Sequence, residues 1–388
     1  MSGHLPSERN EKETSDINAL VNPSGAALAH HNSGIAPSKA FVQALKNFRS
    51  WGGAITAILT WLYVGSLAIL LLVLERWGER HWFFSLLLFS PPQTFLLPLV
   101  ILVPLALCTR PKLLGWHIST IIGVCFGYMT FRWTPLPRPE AGSLVVVTHN
   151  VGQGNRQQFV SFLDAQKPQI VVLQDARYRA SDYSHLFPDY YVSARGEFML
   201  LSRDLIQESM IVESPKWHGR PLAARFEVIH DGKPLVIYDV HMPTPRQQFN
   251  RFLSGRVVRD LFSEEEGPAF SSYREWLDAR VELAHGLANV ISAEKQPFIA
   301  CGDFNMPDHG QIYHIFAGKM TDGFAKAGRG WGLTFPGGPG HPLAMFNAWL
   351  RIDFAFAGSG WKPLFCNAEP GRKSQHHAVV AHFVPATL

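Results

Sequence analysis

The hydrophobic positions fall into two patterns that divide the chain near residue 140. Before it they run unbroken. Residues 50–74 hold no charged side chain, and about 25 residues of helix are long enough to cross the roughly 30 Å hydrocarbon core of a bilayer. Lys46 and Arg49 precede this run, Glu75 and Arg76 follow it, and Trp51 and Trp77 stand where an interfacial aromatic belt falls. Residues 82–109 are again uncharged, with Pro91-Pro92 breaking the early part of the run. Residues 113–131 form a third, more modestly apolar run that includes His117 and Ser119. The pattern predicts three transmembrane helices, at about 50–74, 82–109 and 113–131, in a membrane region of residues 49–132. Residues 1–48 show no sustained apolar period and read as a flexible polar tail.

Pro135, Pro137 and Pro139 mark residues 133–142 as a stiff Pro-rich linker. In residues 143–388 the apolar runs become short and each ends in polar residues, the pattern of strands delivering side chains to loops. Such runs occupy residues 143–148, 168–173, 198–202, 222–228, 235–240, 297–301, 351–356 and 378–384. Residues 159–166 read as helix, as do 273–293, where Leu277, Val281, Ala284, Ala288 and Ile291 share one face. Strands and helices mix without strict βαβ alternation. This predicts an α/β (α+β) domain of two packed mixed sheets flanked by helices rather than a dinucleotide-binding fold.

Composition agrees with this division: of 388 residues 47% are hydrophobic and only 17% charged, with the apolar excess before residue 132. A net charge of +4 is too small and too evenly spread to indicate nucleic-acid binding by itself. Four cysteines without a CxxC pair give neither a disulfide framework nor a zinc-finger spacing. Three spans put the tail and the domain on opposite sides. Lys39, Lys46, Arg49, Arg110 and Lys112 on one side against Arg76, Arg80, Arg132 and Arg138 on the other lean toward tail inside and domain outside. The absence of charge within the spans argues against an ion pathway there.

The candidate chemistry gathers at strand ends. Gly302-Asp303-Phe304-Asn305 closes one apolar run, and an acid and an amide two residues apart in extended chain point the same way, although the same residues also suit an Asx-turn. Asn150, Asp175, His241, Asp353 and His376 each stand at or just beyond the end of another strand, where binding sites form. Oxygen donors and imidazoles without thiolates suit Mg²⁺ or Mn²⁺ better than structural zinc. His149, Asp239, His377 and His382 read as structural. Arg246, Arg251, Arg256 and Arg259, followed by Glu264–Glu266, read as a solvated segment of segregated charge or as a phosphate-steering arm.

The order of His149-Asn150, Leu173-Gln174-Asp175, Asp239-Val240-His241, Gly302–Asn305, Arg351-Ile352-Asp353-Phe354 and Ser374-Gln375-His376 resembles the endonuclease/exonuclease/phosphatase superfamily, and its bacterial membrane-anchored members in particular, over residues 144–384. The resemblance implies a four-layer α/β/β/α sandwich and a hydrolase of phosphoric ester bonds working through metal-activated water, Mg²⁺ or Mn²⁺. It implies that Asp175 holds the ion with support from Asn150, and that Asp303 aligns or deprotonates the water. Asn305 then supports the phosphate, His241 donates to a phosphoryl oxygen, and His376, oriented by Asp353, stabilises or protonates the transition state. The implied substrates are nucleic acid, a phospholipid headgroup or a small phosphoester. The bilayer is the other partner, no protein partner is expected, and the location is the bacterial inner membrane with the domain on the periplasmic side. Two residues depart from the family pattern: Asp175 stands where Glu is usual and Gln375 where Asp is usual. The departures leave a second reading, a pseudo-enzyme that binds a phosphorylated ligand without hydrolysing it.

Overall fold

The structure, a computed structural model, describes residues 38–135, 142–152, 156–176, 180–255, 259, 268–337, 347–370 and 374–386. The tail up to residue 37, most of the linker, residues 153–155 of the glycine-rich loop, Arg256 and the Glu264–Glu266 run lie outside the described residues.

Arg132–Trp133 (β1) makes a short antiparallel pair with Arg329–Gly330 (β11). Two larger sheets carry the domain. The first runs in the order Trp361–Ala368 (β13), Val379–Pro385 (β14), Leu144–Asn150 (β2), Ile170–Gln174 (β3), Phe198–Ser202 (β5), Tyr191–Arg195 (β4). The second runs Thr321–Asp322 (β10), Asp353–Ala357 (β12), Phe298–Asp303 (β9), Lys233–His241 (β8), Ala223–His230 (β7), Ile206–Ile211 (β6). Only β2 with β3 and β8 with β9 are parallel, so both sheets are mixed.

The central strands are buried on both faces, and successive side chains serve different layers. Val146, Val172 and Leu200 face Phe226, Ile237 and Ile299 across the space between the sheets. Val147, Val171 and Leu201 instead meet Phe159, Leu163, Tyr183 and Phe187 from the helices Arg156–Gln166 and Ala180–Leu186. On the far side, Val236, Val240, Phe354 and Phe356 pack on Leu283, Leu287, Ile291, Ile312 and Phe316 from the helices Pro268–Ser292 and Gln311–Ala317. The domain is therefore the four-layer α/β/β/α sandwich. One polar bridge crosses its middle: Gln174 Nε2 donates to Asp239 at 2.7 Å and to Thr148 at 3.1 Å, and the Met199 amide donates to Asp239 at 3.2 Å. Burial raises the Asp239 carboxyl well above its usual range, and its bonds to Gln174 and Met199 link the two sheets.

The apolar region begins with a continuous helix, Lys39–Trp77, which starts earlier than the uncharged run. Pro91-Pro92 splits the second run as expected, into the helix Trp82–Leu88, the 3₁₀ turn Pro92–Leu96 and the helix Leu99–Thr109. The third run is a short helix, Leu114–Ile122, passing into a π-helix, Gly123–Tyr128. Among the described residues, two helical stretches are long and apolar enough to cross a membrane, Lys39–Trp77 and Pro92–Thr109, against the three expected.

This region is docked on the domain. Glu79, in the turn after the first helix, is fully buried, with Oε1 3.4 Å from Arg280 Nη2 and Oε2 accepting from the Ile312 amide. Arg80 Nε donates to Gln311 at 2.9 Å, and Tyr273 Oη donates to the Trp82 carbonyl at 3.1 Å.

Candidate active site

Strand register builds the centre of the site. His241 stands opposite Asp303 in the parallel β8–β9 pair, and Asp353 stands opposite Asp303 in the antiparallel β9–β12 pair, so three neighbouring strand ends present one row of polar side chains. Gly302 precedes Asp303 at φ +143°, and a Cβ there would overlap the Val240 carbonyl; only glycine lets β9 pass β8 this closely.

Three side chains converge on Asp303 Oδ2. Asn150 Nδ2, from β2 in the opposite sheet, donates to it at 3.0 Å, while His241 Nε2 lies 3.7 Å and His376 Nε2 3.8 Å away. Asp303 Oδ1 accepts the Asn305 amide at 2.9 Å. Asn305 leaves the strand at φ +48° and its side chain donates to the Met242 carbonyl at 2.9 Å. The two residues thus form the Asx-turn while both still border the site, and the side-by-side projection expected of an extended chain ends at Asp303. Asp353 orients His376, with Oδ2 3.0 Å and Oδ1 3.2 Å from Nδ1. Behind it, His149 Nε2 lies 3.1 Å from Ser374 Oγ and 3.3 Å from the His376 carbonyl, fixing the terminal turn.

The electrostatics follow from burial and pairing. Desolvation raises the Asp303 carboxyl above its ordinary range, and Asp353 adds to this, while His376, His241 and Asn150 pull the other way. Burial alone would lower His376, but Asp353 and Asp303 outweigh it and lift the imidazole to about 9. A protonated imidazole beside a carboxylate reluctant to ionise is an acid–base arrangement of the kind phosphoryl chemistry needs.

A second cluster adjoins the first. Asp175 turns out of β3 at φ +56°, and ligand atoms of Asp175, Glu197 and His241 lie within 4.8 Å of one another. Gly152 borders them: a Cβ there would come within 3.0 Å of Asp175 Oδ2 and 3.3 Å of Asn150 Oδ1, so the glycine leaves open a space lined by oxygen donors. Arg220 donates to Glu197 Oε1 at 2.7 Å through Nε and to His241 Nδ1 at 2.6 Å through Nη2. Since a guanidinium only donates, His241 accepts at Nδ1 and turns Nε2 toward Asp303. Burial acts to raise the Glu197 carboxyl, but the Arg220 guanidinium paired with it helps hold it below its ordinary range. Asp303, Asp353 and His376 form another set with ligand atoms within 4.8 Å, already paired internally.

Asn150, Asp175, His241, Asp303, Asn305 and His376 all line one cavity of about 300 Å³, with Asp353 directly behind His376. Every residue expected at the site is therefore brought together. Glu197 and Arg220 were not singled out from the sequence, and Arg246 stood there only among the arginines of a solvated or phosphate-steering segment. Glu197 carried one signal, a charge placed directly before the fully buried strand β5. Gln375, the departure next to His376, accepts from Arg246 Nη2 at 3.2 Å.

A four-layer sandwich that gathers carboxylates, imidazoles and amides at one edge of its two sheets defines a class of phosphoester hydrolase. The chain belongs to the endonuclease/exonuclease/phosphatase family, whose profile matches residues 147–376, and that membership makes it a hydrolase of phosphoric ester bonds. No curated protein matches it. Similar solved structures include a family member from Bacteroides thetaiotaomicron, 15% identical over 63% of this chain and 98% of its own, with a TM-score of 0.43. A 3'-5' exonuclease from Neisseria meningitidis is 17% identical over 62% of this chain and 99% of its own, with a TM-score of 0.44. A mannosyl-6-phosphatase from Bacteroides thetaiotaomicron is 17% identical over 62% of this chain and 100% of its own, with a TM-score of 0.44.

Proposed function

We propose that the chain is a membrane-anchored, divalent-metal-dependent phosphoesterase in which water attacks phosphorus directly, without a covalent intermediate. The observation that carries this reading is the convergence of Asn150, His241 and His376 on one oxygen of Asp303. The hard oxygen donors of Asp175 and Glu197, with Asn150 beside them, fit Mg²⁺ or Mn²⁺. A divalent ion bound there supplies positive charge that polarises a phosphoryl oxygen and stabilises charge on the leaving group.

The chain's own residues supply the rest. Asp303, buried and held between two imidazoles, aligns the water and takes its proton. His241, with Nδ1 occupied by Arg220, offers Nε2–H to a phosphoryl oxygen. His376, held protonated by Asp353, stabilises the pentavalent transition state or passes a proton to the leaving oxygen. Asn305 holds the β8 and β9 ends in register through Met242.

The docked turn supports three membrane crossings. Glu79 and Arg80 touch the same domain that residue 132 enters, so a chain that crosses the membrane between them crosses it an even number of times. Pro92–Thr109 then crosses inward, and the helical run through Tyr128 brings it back. Outward-facing Ile55, Ile58 and Leu62, Val100 and Ile101, and Ile118 and Ile122 give all three segments an exposed apolar surface. The balance of flanking basic residues supports a bacterial inner-membrane protein with its domain on the periplasmic side.

The test is hydrolysis of bis(4-nitrophenyl) phosphate by the full chain in detergent, with Mg²⁺, Mn²⁺ or chelator. Turnover should require metal, and Asp303→Asn and His376→Ala should each lower kcat by about 10²–10⁴-fold, the usual worth of a positioned acid or base. Because Gln375 replaces a carboxylate, binding without turnover is the competing reading. A large gain in metal-dependent rate on Gln375→Asp would mark a weakened enzyme, and no gain would favour binding.

A further inference from the structure

The cavity has two unlike sides. Its floor is the polar row around Asp303, while another part of its lining is an apolar cluster of Phe89, Phe249, Phe335, Trp349, Leu350 and Ile352. One of these belongs to the membrane region: Phe89 follows the helix Trp82–Leu88 and immediately precedes the Pro-interrupted stretch that enters the candidate span Pro92–Thr109. Its place is well determined. The Phe249 ring lies 5.2 Å away between centroids, the Arg280 guanidinium sits 5.3 Å from the Phe89 centroid, and Trp349 Nε1 donates to the Phe89 carbonyl at 3.3 Å. The buried Glu79–Arg280 pair ties the same corner to the domain. The membrane hairpin thus completes the wall of the catalytic cavity, and the domain alone would leave it open.

On the phosphoesterase reading above, we infer that the substrate is a phosphoester carrying a hydrocarbon group, drawn from the bilayer, with its phosphate on the polar floor and the first part of its chain against the Phe89 wall. A hydrolytic floor sized for phosphate gains nothing from an apolar wall unless the substrate has apolar surface to bury there. The wall's continuity with a helix that enters the membrane identifies the direction from which that surface arrives. A polynucleotide would instead need a track of cations for successive phosphates. Among the described residues the guanidiniums lining this cavity are Arg220 and Arg246, and Arg220 is engaged by Glu197 and His241. In the step itself a water oxygen bonds to phosphorus and the ester P–O bond breaks. One water proton goes to Asp303, and the leaving alcohol takes a proton from His376.

The experiment uses the full chain in phosphate-free maltoside micelles with Mn²⁺. Its probes are two pairs that differ only in acyl chains: dioleoyl phosphatidylglycerol against glycerophosphoglycerol, and dioleoyl phosphatidic acid against glycerol 3-phosphate. In at least one pair the acylated member should have kcat/KM higher by about tenfold or more, the effect of burying roughly two methylenes. Phe89→Ala should remove most of that preference by lowering kcat/KM for the acylated member more than for its deacylated partner, and Phe89→Leu, which keeps apolar bulk, should restore much of it. Equal kcat/KM within both pairs would overturn the inference, whatever the behaviour of the variants. So would turnover of a single-stranded oligonucleotide with neither lipid hydrolysed. Metal-dependent hydrolysis of bis(4-nitrophenyl) phosphate alongside either result would leave the phosphoesterase reading standing, whereas no hydrolysis of any probe would remove both.

Discussion

His376 shows how a single side chain takes its chemistry from neighbours far away in sequence. Two carboxylates from different strands, Asp353 and Asp303, lift its imidazole to about 9 although burial opposes the charge. A histidine whose folded-state value lies above its unfolded value near 6.5 adds stability that is complete below about 6.5 and disappears as pH rises through the folded value. For chelated protein, the melting temperature should therefore fall between about pH 6.5 and pH 9, and Asp353→Asn should flatten that dependence. A wild-type curve level across the same window would contradict the pairing. Arg351 offers a contrast: it belongs to the same motif as Asp353 but binds Asp322 through Nη1 and Nη2 and Asp308 through Nε, so its work is to hold the loops beneath the site.

At the scale of elements, the turn after the first helix is the joint between the two halves. Glu79 and Arg280 are both fully buried, and removing one partner of such a pair leaves an uncompensated charge, at a cost of about 3–5 kcal/mol. Glu79→Ala should accordingly loosen the hairpin from the helix Pro268–Ser292, seen as faster proteolysis near residues 78–91 and a lower melting temperature. The Glu79→Ala, Arg280→Met double variant should recover part of the loss, because it leaves no lone charge. If the single variant melts like wild type, the turn is not a structural joint. The strands at the sheet edges are a different matter. β4 and β13 are half-buried, so neither presents the continuous apolar run that marked the central strands, and β13 left no readable pattern.

For the molecule as a whole, the proposed three crossings predict that position 38 and the domain lie on opposite sides of the membrane. Single cysteines placed near Ser38 and near Val384 in a cysteine-free background should be labelled by a membrane-impermeant thiol reagent from opposite faces, the latter from outside. Labelling of both from the same face would mean an even number of crossings and would overturn the three-span topology.

The sequence by itself was enough to predict the apolar region, the mixture of strands and helices after residue 143 and the family, and to pick out Asn150, Asp175, His241, Asp303, Asn305, Asp353 and His376, which the structure brings together. Each of these depends on local pattern, and an apolar run that ends in a polar residue is visible wherever it occurs. Tertiary structure decided what depends on approach between distant segments. Glu197 reaches the site because β5 lies beside β3, and Arg220 because its guanidinium spans to both Glu197 and His241. Asp239 became an inter-sheet bridge because the sheets pack with its carboxyl opposite Gln174. Phe89 is one phenylalanine among 27 in the chain, and nothing local distinguishes it. Its place on the cavity wall follows from the docking of the membrane hairpin, a contact between residues nearly two hundred positions apart that no periodicity encodes.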